Sequence, residues 1–314
     1  MRIAIIGCGA MGSVYAGLFA EAGHEVLAVS RDAGHVEAIN RDGLRLTGAS
    51  GDRAIPMRAA AAPEGEAADL VVIATKAAQA GAAARAALPL VGEDTLVLTI
   101  QNGLGAAEEV AEAVGPDRLA VGIAAAFGAS LPAPGHAHHA SLGAIHAGAL
   151  AGLPRDALDR IVAAWDGAGF EARAAADIAA MQWEKLICNV AFSGPCAISG
   201  LTVGGVMAQE EITRVSRAAA VEAYEVARAR GIALSVTDPV AHVEAFGRRV
   251  AAAKPSVLLD LEAGRRSEIG YINGAVVREA EKAGMRAPVN ETITSLVVSR
   301  ESGAWQTTMG RGDT

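Results

Sequence analysis

The first twelve residues, MRIAIIGCGAMG, constrain the fold more than any other stretch of the chain. Arg2–Ile6 is a short apolar run of the kind a buried strand needs. Gly7-Cys8-Gly9-Ala10-Met11-Gly12 follows without a gap. This is G-x-G-x-x-G at a strand-to-helix turn. Gly7 permits the tight turn, Gly9 lets a pyrophosphate approach the backbone, and Gly12 lets the helix pack close to the strand. The helix start offers unpaired N–H groups to a phosphate. Met11–Ala22 reads as that helix, with Gly23-His24 as its stop. The hexapeptide alone marks only a sharp turn. Between a strand and a helix it predicts dinucleotide binding through Gly7, Cys8, Gly9, Ala10, Met11 and Gly12.

Strands and helices then alternate. Glu25–Ser30 reads as a second strand ending in Ser30-Arg31. An NAD-binding fold places an acidic residue near this point for the ribose 2′-hydroxyl. A hydroxyl followed by a guanidinium suits a 2′-phosphate instead, so Arg31 points to NADPH. Asp32 is close enough to serve NADH, but it is also well placed to cap a helix over Ala33–Arg41. Leu44–Leu46 and Ile55–Met57 read as short strands around a Gly-containing turn. Ala68–Thr75 is a continuous apolar run, the mark of a buried parallel strand, and Lys76 stands at its C-terminal end. Ala77–Leu88 reads as a helix. Thr95–Ile100 is the next strand, ending in Gln101-Asn102-Gly103, again at the edge where open α/β sheets bind ligands. A helix over Leu104–Val114 and a strand over Leu119–Ala124 continue the series. Phe127–Ala149 is read as a β-hairpin, Arg155–Gly167 as a helix and Gly169–Ala174 as an edge strand. Residues 1–175 are therefore expected to form a doubly wound, Rossmann-like α/β domain.

Beyond Asp177 the strand signal ends. Ala179–Ile198, Val206–Arg230, Pro239–Ala252 and Glu268–Ala283 carry helical periodicity, so residues 176–304 are expected to form an all-α domain. Residues 305–314 read as a flexible tail, and the Arg311-Gly312-Asp313 within it as an accidental match to an adhesion motif. The length of 314 residues suits two domains of ordinary size. A net charge of −8 argues against nucleic acid or an anionic membrane as partner. Cys8, Cys188 and Cys196 make an odd count without metal-like spacing, which suits reduced thiols in the cytoplasm. No apolar stretch reaches the ~20 residues of a membrane span. His136, His138, His139 and His146 cluster in the hairpin, but they lack acidic or cysteine partners nearby. Hydrogen-bonded strand histidines explain them better than a metal site.

Two constellations carry chemistry. Lys185, Asn189 and Ser193 recur at i, i+4 and i+8 along a helix whose neighbours Leu186, Ile187, Val190 and Phe192 are apolar. A lysine, an amide and a hydroxyl on one stripe of an apolar helix line a cavity or find partners. The plainer alternative is a lysine reaching solvent at the helix edge. Lys254-Pro255-Ser256 and Arg265-Arg266-Ser267-Glu268 form the second group. Ser267 reads as an N-cap, which puts Glu268 in the first turn of a helix. From pattern alone Glu268 is a surface carboxylate complementing the helix dipole.

Together these pieces resemble the ketopantoate reductase (2-dehydropantoate 2-reductase) family. The resemblance runs through GCGAMG, Arg31, Thr75-Lys76, Gln101-Asn102-Gly103, Trp183-Glu184-Lys185-Leu186 with Asn189, Ser256 with Asp260, and Ser267-Glu268-Ile269 with Tyr271-Ile272-Asn273-Gly274. It implies an NADPH-dependent reduction of a 2-oxo acid, with ketopantoate and D-pantoate the leading pair, at a site between the two domains. It further implies Arg31 and Lys76 at the 2′-phosphate, and Asn102 beside nicotinamide and substrate. Lys185 would be the general acid and Glu268 its anionic neighbour, with Asn189 and Ser256 as substrate contacts. Ser193 joins this substrate side where the family usually carries a second asparagine. Ala253, Val257, Leu259 and Gly270 also depart from the family pattern, and all lie on the substrate side. A related dehydrogenase acting on another 2-oxo acid, an imine or a 3-hydroxy acid is the alternative. A cofactor-sensing protein without turnover would need no Lys185. A homodimer through the apolar helices is a further expectation.

Overall fold

The computed structural model describes residues 1–141 and 143–302. The proposed tail and its Arg311-Gly312-Asp313 lie outside the described residues. The chain divides into two compact units: Met1–Gln101 with Gly105–Ile178, and Asn102–Leu104 with the residues from Ala179 onward.

The first unit opens with β1 (Arg2–Ile6), α1 (Ala10–Glu21), β2 (Glu25–Val29) and α2 (Ala33–Asp42). It continues with β3 (Leu44–Gly48), β4 (Arg53–Ile55), β5 (Arg58–Ala60), β6 (Leu70–Ile73), α3 (Ala77–Ala86), β7 (Leu96–Thr99), α4 (Ala106–Val114) and β8 (Leu119–Ala125). β9 (Gly128–Ala133), β10 (His136–Ser141), β11 (Ala144–Ala149), α5 (Arg155–Gly167) and β12 (Glu171–Ala174) complete it. Among the described residues an eight-stranded sheet has the order β12-β11-β8-β7-β6-β1-β2-β5. Its pairs are parallel except β11 against β8. β6 (LVVI) and β7 (LVLT) are buried at every position, as central strands covered on both faces must be. The strand order reverses between β1 and β6, and that switch point is where such sheets bind ligands. α1 carries Tyr15 and Phe19 into an aromatic cluster with Phe127, Trp165 and Phe170. Edge-to-face packing of these rings anchors the glycine-loop helix against α5 and the connections that lead into β9 and β12.

The region read as one hairpin divides between two sheets. β9 and β10 pair antiparallel within a second sheet, β4-β3-β10-β9, whereas β11 joins the main one. β5, absent from the sequence reading, also joins the main sheet, because Pro56 ends β4 early. His136 and His138 share a face and both hydrogen-bond the Thr47 hydroxyl, at 2.9 and 3.0 Å. His139 points to the other face, fully buried and stacked on Phe127.

The second unit contains α6 (Ile178–Ser199), α7 (Val203–Ala208), α8 (Glu210–Ala229), α9 (Pro239–Arg249), α10 (Ser256–Glu262), α11 (Asn273–Lys282) and α12 (Pro288–Glu301). The expected single helix over Val206–Arg230 breaks at Gln209, whose backbone is extended. Thr202 caps α7, and the Thr213 hydroxyl donates to the Val206 carbonyl across the break at 2.7 Å. The expected helix from Glu268 is also different. Glu268 precedes a 3-10 turn over Ile269–Tyr271, and α11 starts only at Asn273. α10 is too short, and α12 too rich in β-branched residues, to show as a clear periodic run. A buried network holds the bundle: the Asn273 amide donates to the Val190 carbonyl and to Asn290 Oδ1, and the Asn290 amide to Glu222. No helix among the described residues is long and apolar enough to cross a membrane.

Candidate active site

In the first unit, Gly7 lies at φ +100°, a left-handed conformation that suits glycine. The Gly7 and Cys8 N–H groups both donate to the Val29 carbonyl, at 3.0 and 2.8 Å, which pins the loop to the end of β2. A Cβ on Gly7 would lie 2.6 Å from Thr75 Cγ2, and one on Gly12 would lie 2.3 Å from the Gly7 oxygen. A Cβ on Gly9 would meet nothing within 4 Å, so this glycine faces open space. Gly9 is the N-cap of α1 with no side-chain cap, and the first turn carries no acidic residue. That is a cradle for an anion: free helix N–H groups, a positive dipole end and no competing carboxylate. The residues therefore fit the pyrophosphate of a dinucleotide. Cys8 contributes differently from its neighbours. Its thiol is buried, donates toward the Ile5 carbonyl, and burial pushes its pKa up to about 12. Cys8 shapes the loop, whereas Gly9, Ala10 and Met11 form its accessible rim.

Arg31 follows β2 on the surface, and its Nη2 donates to Gln79 Oε1 at 2.8 Å. Gln79 lies in the first turn of α3, which Lys76 precedes as N-cap residue. Arg31 and Lys76 thus share one edge of the sheet. Asp32 caps α2, accepting the His35 N–H at 3.1 Å. Sequence reasoning missed Gln101 as a brace. Its amide donates to the carbonyls of Ile73 and Thr75, at 2.7 and 3.0 Å, and its oxygen accepts from Thr99. It also missed His35, which is buried. The Gly135 N–H donates to His35 Nδ1 at 2.9 Å, so Nε2 carries the proton and donates to Ser13 Oγ at 3.0 Å. One imidazole thus ties the first turns of α1 to the β9–β10 connection.

In the second unit, Lys185, Asn189 and Ser193 follow one another along α6. Ser193 is buried, Asn189 and Lys185 half-buried. Burial pulls the Lys185 ammonium down to about 8, and the charge of Glu268 pulls it back up. Two residues 83 positions apart in sequence are therefore electrostatic partners. Glu184 points elsewhere, accepting the Ser235 N–H and hydroxyl at 2.6 and 2.7 Å. Ser256 is exposed as the first residue of α10. Asp260, on the same helix, is buried and paired with Arg265 at 3.1 Å.

Asn102–Leu104 clusters with this second unit. The Leu104 N–H donates to the Tyr271 carbonyl at 3.0 Å. Gly103 lies at φ +85°, and a Cβ there would come 1.8 Å from the Tyr271 oxygen. Arg278 reinforces the contact: Nη1 donates to the Gly270 carbonyl at 2.6 Å and Nη2 to that of Leu104 at 3.4 Å, with the guanidinium 5.5 Å from the Tyr271 ring centroid. Asn102 and Glu268 are thereby attached to the same 3-10 turn. No local pattern identifies Arg278, because its partners come from distant parts of the chain. Among the described residues no group of three or more His, Cys, Asp and Glu side chains is placed to hold a metal ion.

Residues 3–152 match the family model described as ketopantoate reductase PanE/ApbA, and residues 177–301 match the model of that family's C-terminal region. The 2-dehydropantoate 2-reductases of Halobacterium salinarum and Archaeoglobus fulgidus are each 30% identical to this chain, over 299 and 302 residues. These matches cover 95% and 96% of this chain and 98% of each relative. A PanE/ApbA family ketopantoate reductase from Ralstonia eutropha has a similar structure, with a TM-score of 0.88 at 30% identity, covering 96% of this chain and 99% of that one. D-mandelate dehydrogenase, solved with NADH and anilino(oxo)acetate, has a TM-score of 0.89 at 26% identity, with the same coverage.

Proposed function

The chain belongs to the ketopantoate reductase family of oxidoreductases, and from that premise we propose that it reduces a 2-oxo acid to a 2-hydroxy acid with NADPH, ketopantoate to D-pantoate being the leading reaction. The observation that carries this reading is the half-buried Lys185 with Glu268 as its electrostatic partner. When bound, the nicotinamide supplies the hydride. Reduction of a ketone leaves negative charge on its oxygen, and that oxygen takes a proton. An ammonium with a pKa near 8 is charged at neutral pH and gives up its proton readily, as a general acid must. The same positive charge stabilises the developing alkoxide. Glu268 keeps Lys185 protonated against the pull of burial. Asn189, Ser193 and Ser256, together with Asn102, are assigned to hydrogen bonds with the substrate. In the first unit, the uncapped start of α1 holds the pyrophosphate, and Arg31 with Lys76 holds the 2′-phosphate. Asp32, engaged as a helix cap, is not assigned to the ribose. The reaction is placed in the cytoplasm, in keeping with three free, buried cysteines.

Two observations favour a second reading on the same chemistry. Ser193 and Ala253 stand where more amide donors would serve a hydroxylated substrate, and the D-mandelate dehydrogenase structure is a near neighbour that was solved with NADH. A different 2-oxo acid, reduced with NADH, would accommodate both. Steady-state assays on a panel of 2-oxo acids and imines with each reduced nicotinamide, and on 3-hydroxy acids with each oxidised one, separate the readings. The highest kcat/KM on ketopantoate with NADPH supports the first. A clear preference for an aryl or alkyl 2-oxo acid with NADH replaces it with the second, and activity confined to imines or 3-hydroxy acids refutes both.

A further inference from the structure

We propose that Glu301, the last residue of α12, is a positioning residue that holds the Glu268 turn, and so keeps the Glu268 carboxylate beside the Lys185 ammonium. The proposal rests on the roles given above to Lys185 and Glu268. Glu301 Oε1 accepts two hydrogen bonds from Ser267, one from its N–H at 2.9 Å and one from its hydroxyl at 2.6 Å. The Ser267 oxygen in turn accepts the Ile269 N–H at 3.2 Å. The backbone on both sides of Glu268 is thus fixed through a single carboxylate, 34 positions in sequence from Ser267. The turn closes with the Tyr271 N–H donating to the Glu268 carbonyl at 2.8 Å.

A 3-10 turn of three residues has little stability of its own. Ser267 is half-buried, so the two bonds to a charged acceptor are stronger than neutral ones and partly sheltered from water. A carboxylate acts on a neighbouring ammonium through distance. A turn free to drift would weaken that action without removing any group from the site.

The charged groups on the surrounding elements include Arg265 and Arg266 on the turn's own segment, Asp260 and Glu262 on α10, Arg278, Glu279, Glu281 and Lys282 on α11, Glu291 and Arg300 beside Glu301 on α12, and Glu184 and Lys185 on α6. Arg265 is paired with Asp260, Arg300 donates to the Ala197 and Ile198 carbonyls, and Glu184 is held by Ser235. Glu268 is the charge that acts on Lys185.

The test compares the pH profile of reductive turnover in the intact protein with those of Glu268→Gln, Glu301→Ala, Glu301→Gln and Ser267→Ala. Glu268→Gln removes the charge itself, and its alkaline fall in turnover moves to lower pH. Glu301→Ala is expected to move the fall in the same direction and lower neutral turnover about tenfold, with the KM for NADPH unchanged. Glu301→Gln keeps an oxygen acceptor with weaker, uncharged bonds, and is expected to shift the limb clearly less than Glu301→Ala. Ser267→Ala removes the hydroxyl bond to Glu301 and the acceptor of the Ile269 N–H but keeps the backbone N–H bond, so it is expected to move the limb in the same direction by a smaller amount, which keeps the test available if Glu301→Ala does not fold. The proposal is overturned if Glu268→Gln moves the alkaline limb while both Glu301→Ala and Ser267→Ala leave it in place. It is also overturned if Glu301→Gln shifts the limb as far as Glu301→Ala, because Glu301 would then act by its own charge. If Glu268→Gln leaves the limb unmoved, the roles given to Lys185 and Glu268 fall, and that of Glu301 falls with them.

Discussion

Replacing Lys185 with methionine should make the protein more stable and a far poorer catalyst. The Lys185 ammonium would titrate at 10.5 without its surroundings, and burial brings it to about 8 in the folded chain. Between these values the unfolded chain binds more protons than the folded one, so stability rises with pH across that window. Below about 8 both states hold the proton, and the whole cost of burying the charge is present. The difference corresponds to about 3 kcal/mol, reduced to about 2 to 3 kcal/mol because solvent still reaches the half-buried side chain. Lys185→Met keeps the apolar stem and drops the charge. Urea unfolding at pH 7 should therefore show a gain of about 2 kcal/mol. The gain should shrink toward zero as the pH passes from 8 to 10.5. Turnover measured by NADPH oxidation should fall ~10²-fold or more, with NADPH affinity unchanged. The wild-type protein should lose reductive turnover above about pH 8 as its acid deprotonates. A variant less stable at pH 7 would refute the energetic argument, and one within a few fold of normal turnover would remove Lys185 from the proton transfer.

Arg31→Ala should weaken NADPH far more than NADH in direct titrations; equal losses would assign the ribose to Asp32. Gly9→Ala should unfold like the wild type, since its Cβ meets open space, yet bind dinucleotide at least ~10-fold more weakly because the phosphate must approach there. Gly12→Ala should instead cost about 2 kcal/mol or more in denaturant titrations, because its Cβ lies 2.3 Å from the Gly7 oxygen. His35 is held neutral by burial, with its pKa lowered, against the opposing charge of Asp32. The unfolded chain takes up that proton below about pH 6.5 and the folded chain resists, so stability falls as the pH drops through this range. His35→Gln should flatten the acid limb of a stability–pH curve, and an unchanged slope would show that the Gly135–His35–Ser13 bridge does not set it.

The features readable in the sequence are those whose partners lie within a few residues. The glycine loop after β1 needs only its own spacing. Asp32 caps its helix by accepting the N–H three residues ahead, and the stripe of Lys185, Asn189 and Ser193 follows from the 3.6-residue repeat of α6. The change from alternating strands and helices to helices alone was equally visible, and with it the α/β and all-α character of the two parts. Tertiary structure decided what no local period records. Phe127–Ala149 alternates throughout, but hydrogen-bond partners in β3 and β8 assign its strands to different sheets. Ser267-Glu268 looks like the start of a helix, but Glu301 and Arg278 hold its surroundings in a 3-10 turn. Asn102–Leu104 lies in sequence among the strands of the first unit, yet it docks on Tyr271. Local backbone preferences act over one or two turns of chain. The juxtaposition of Lys185, Glu268 and Glu301 is set by the packing of three helical segments, and no one segment carries that information.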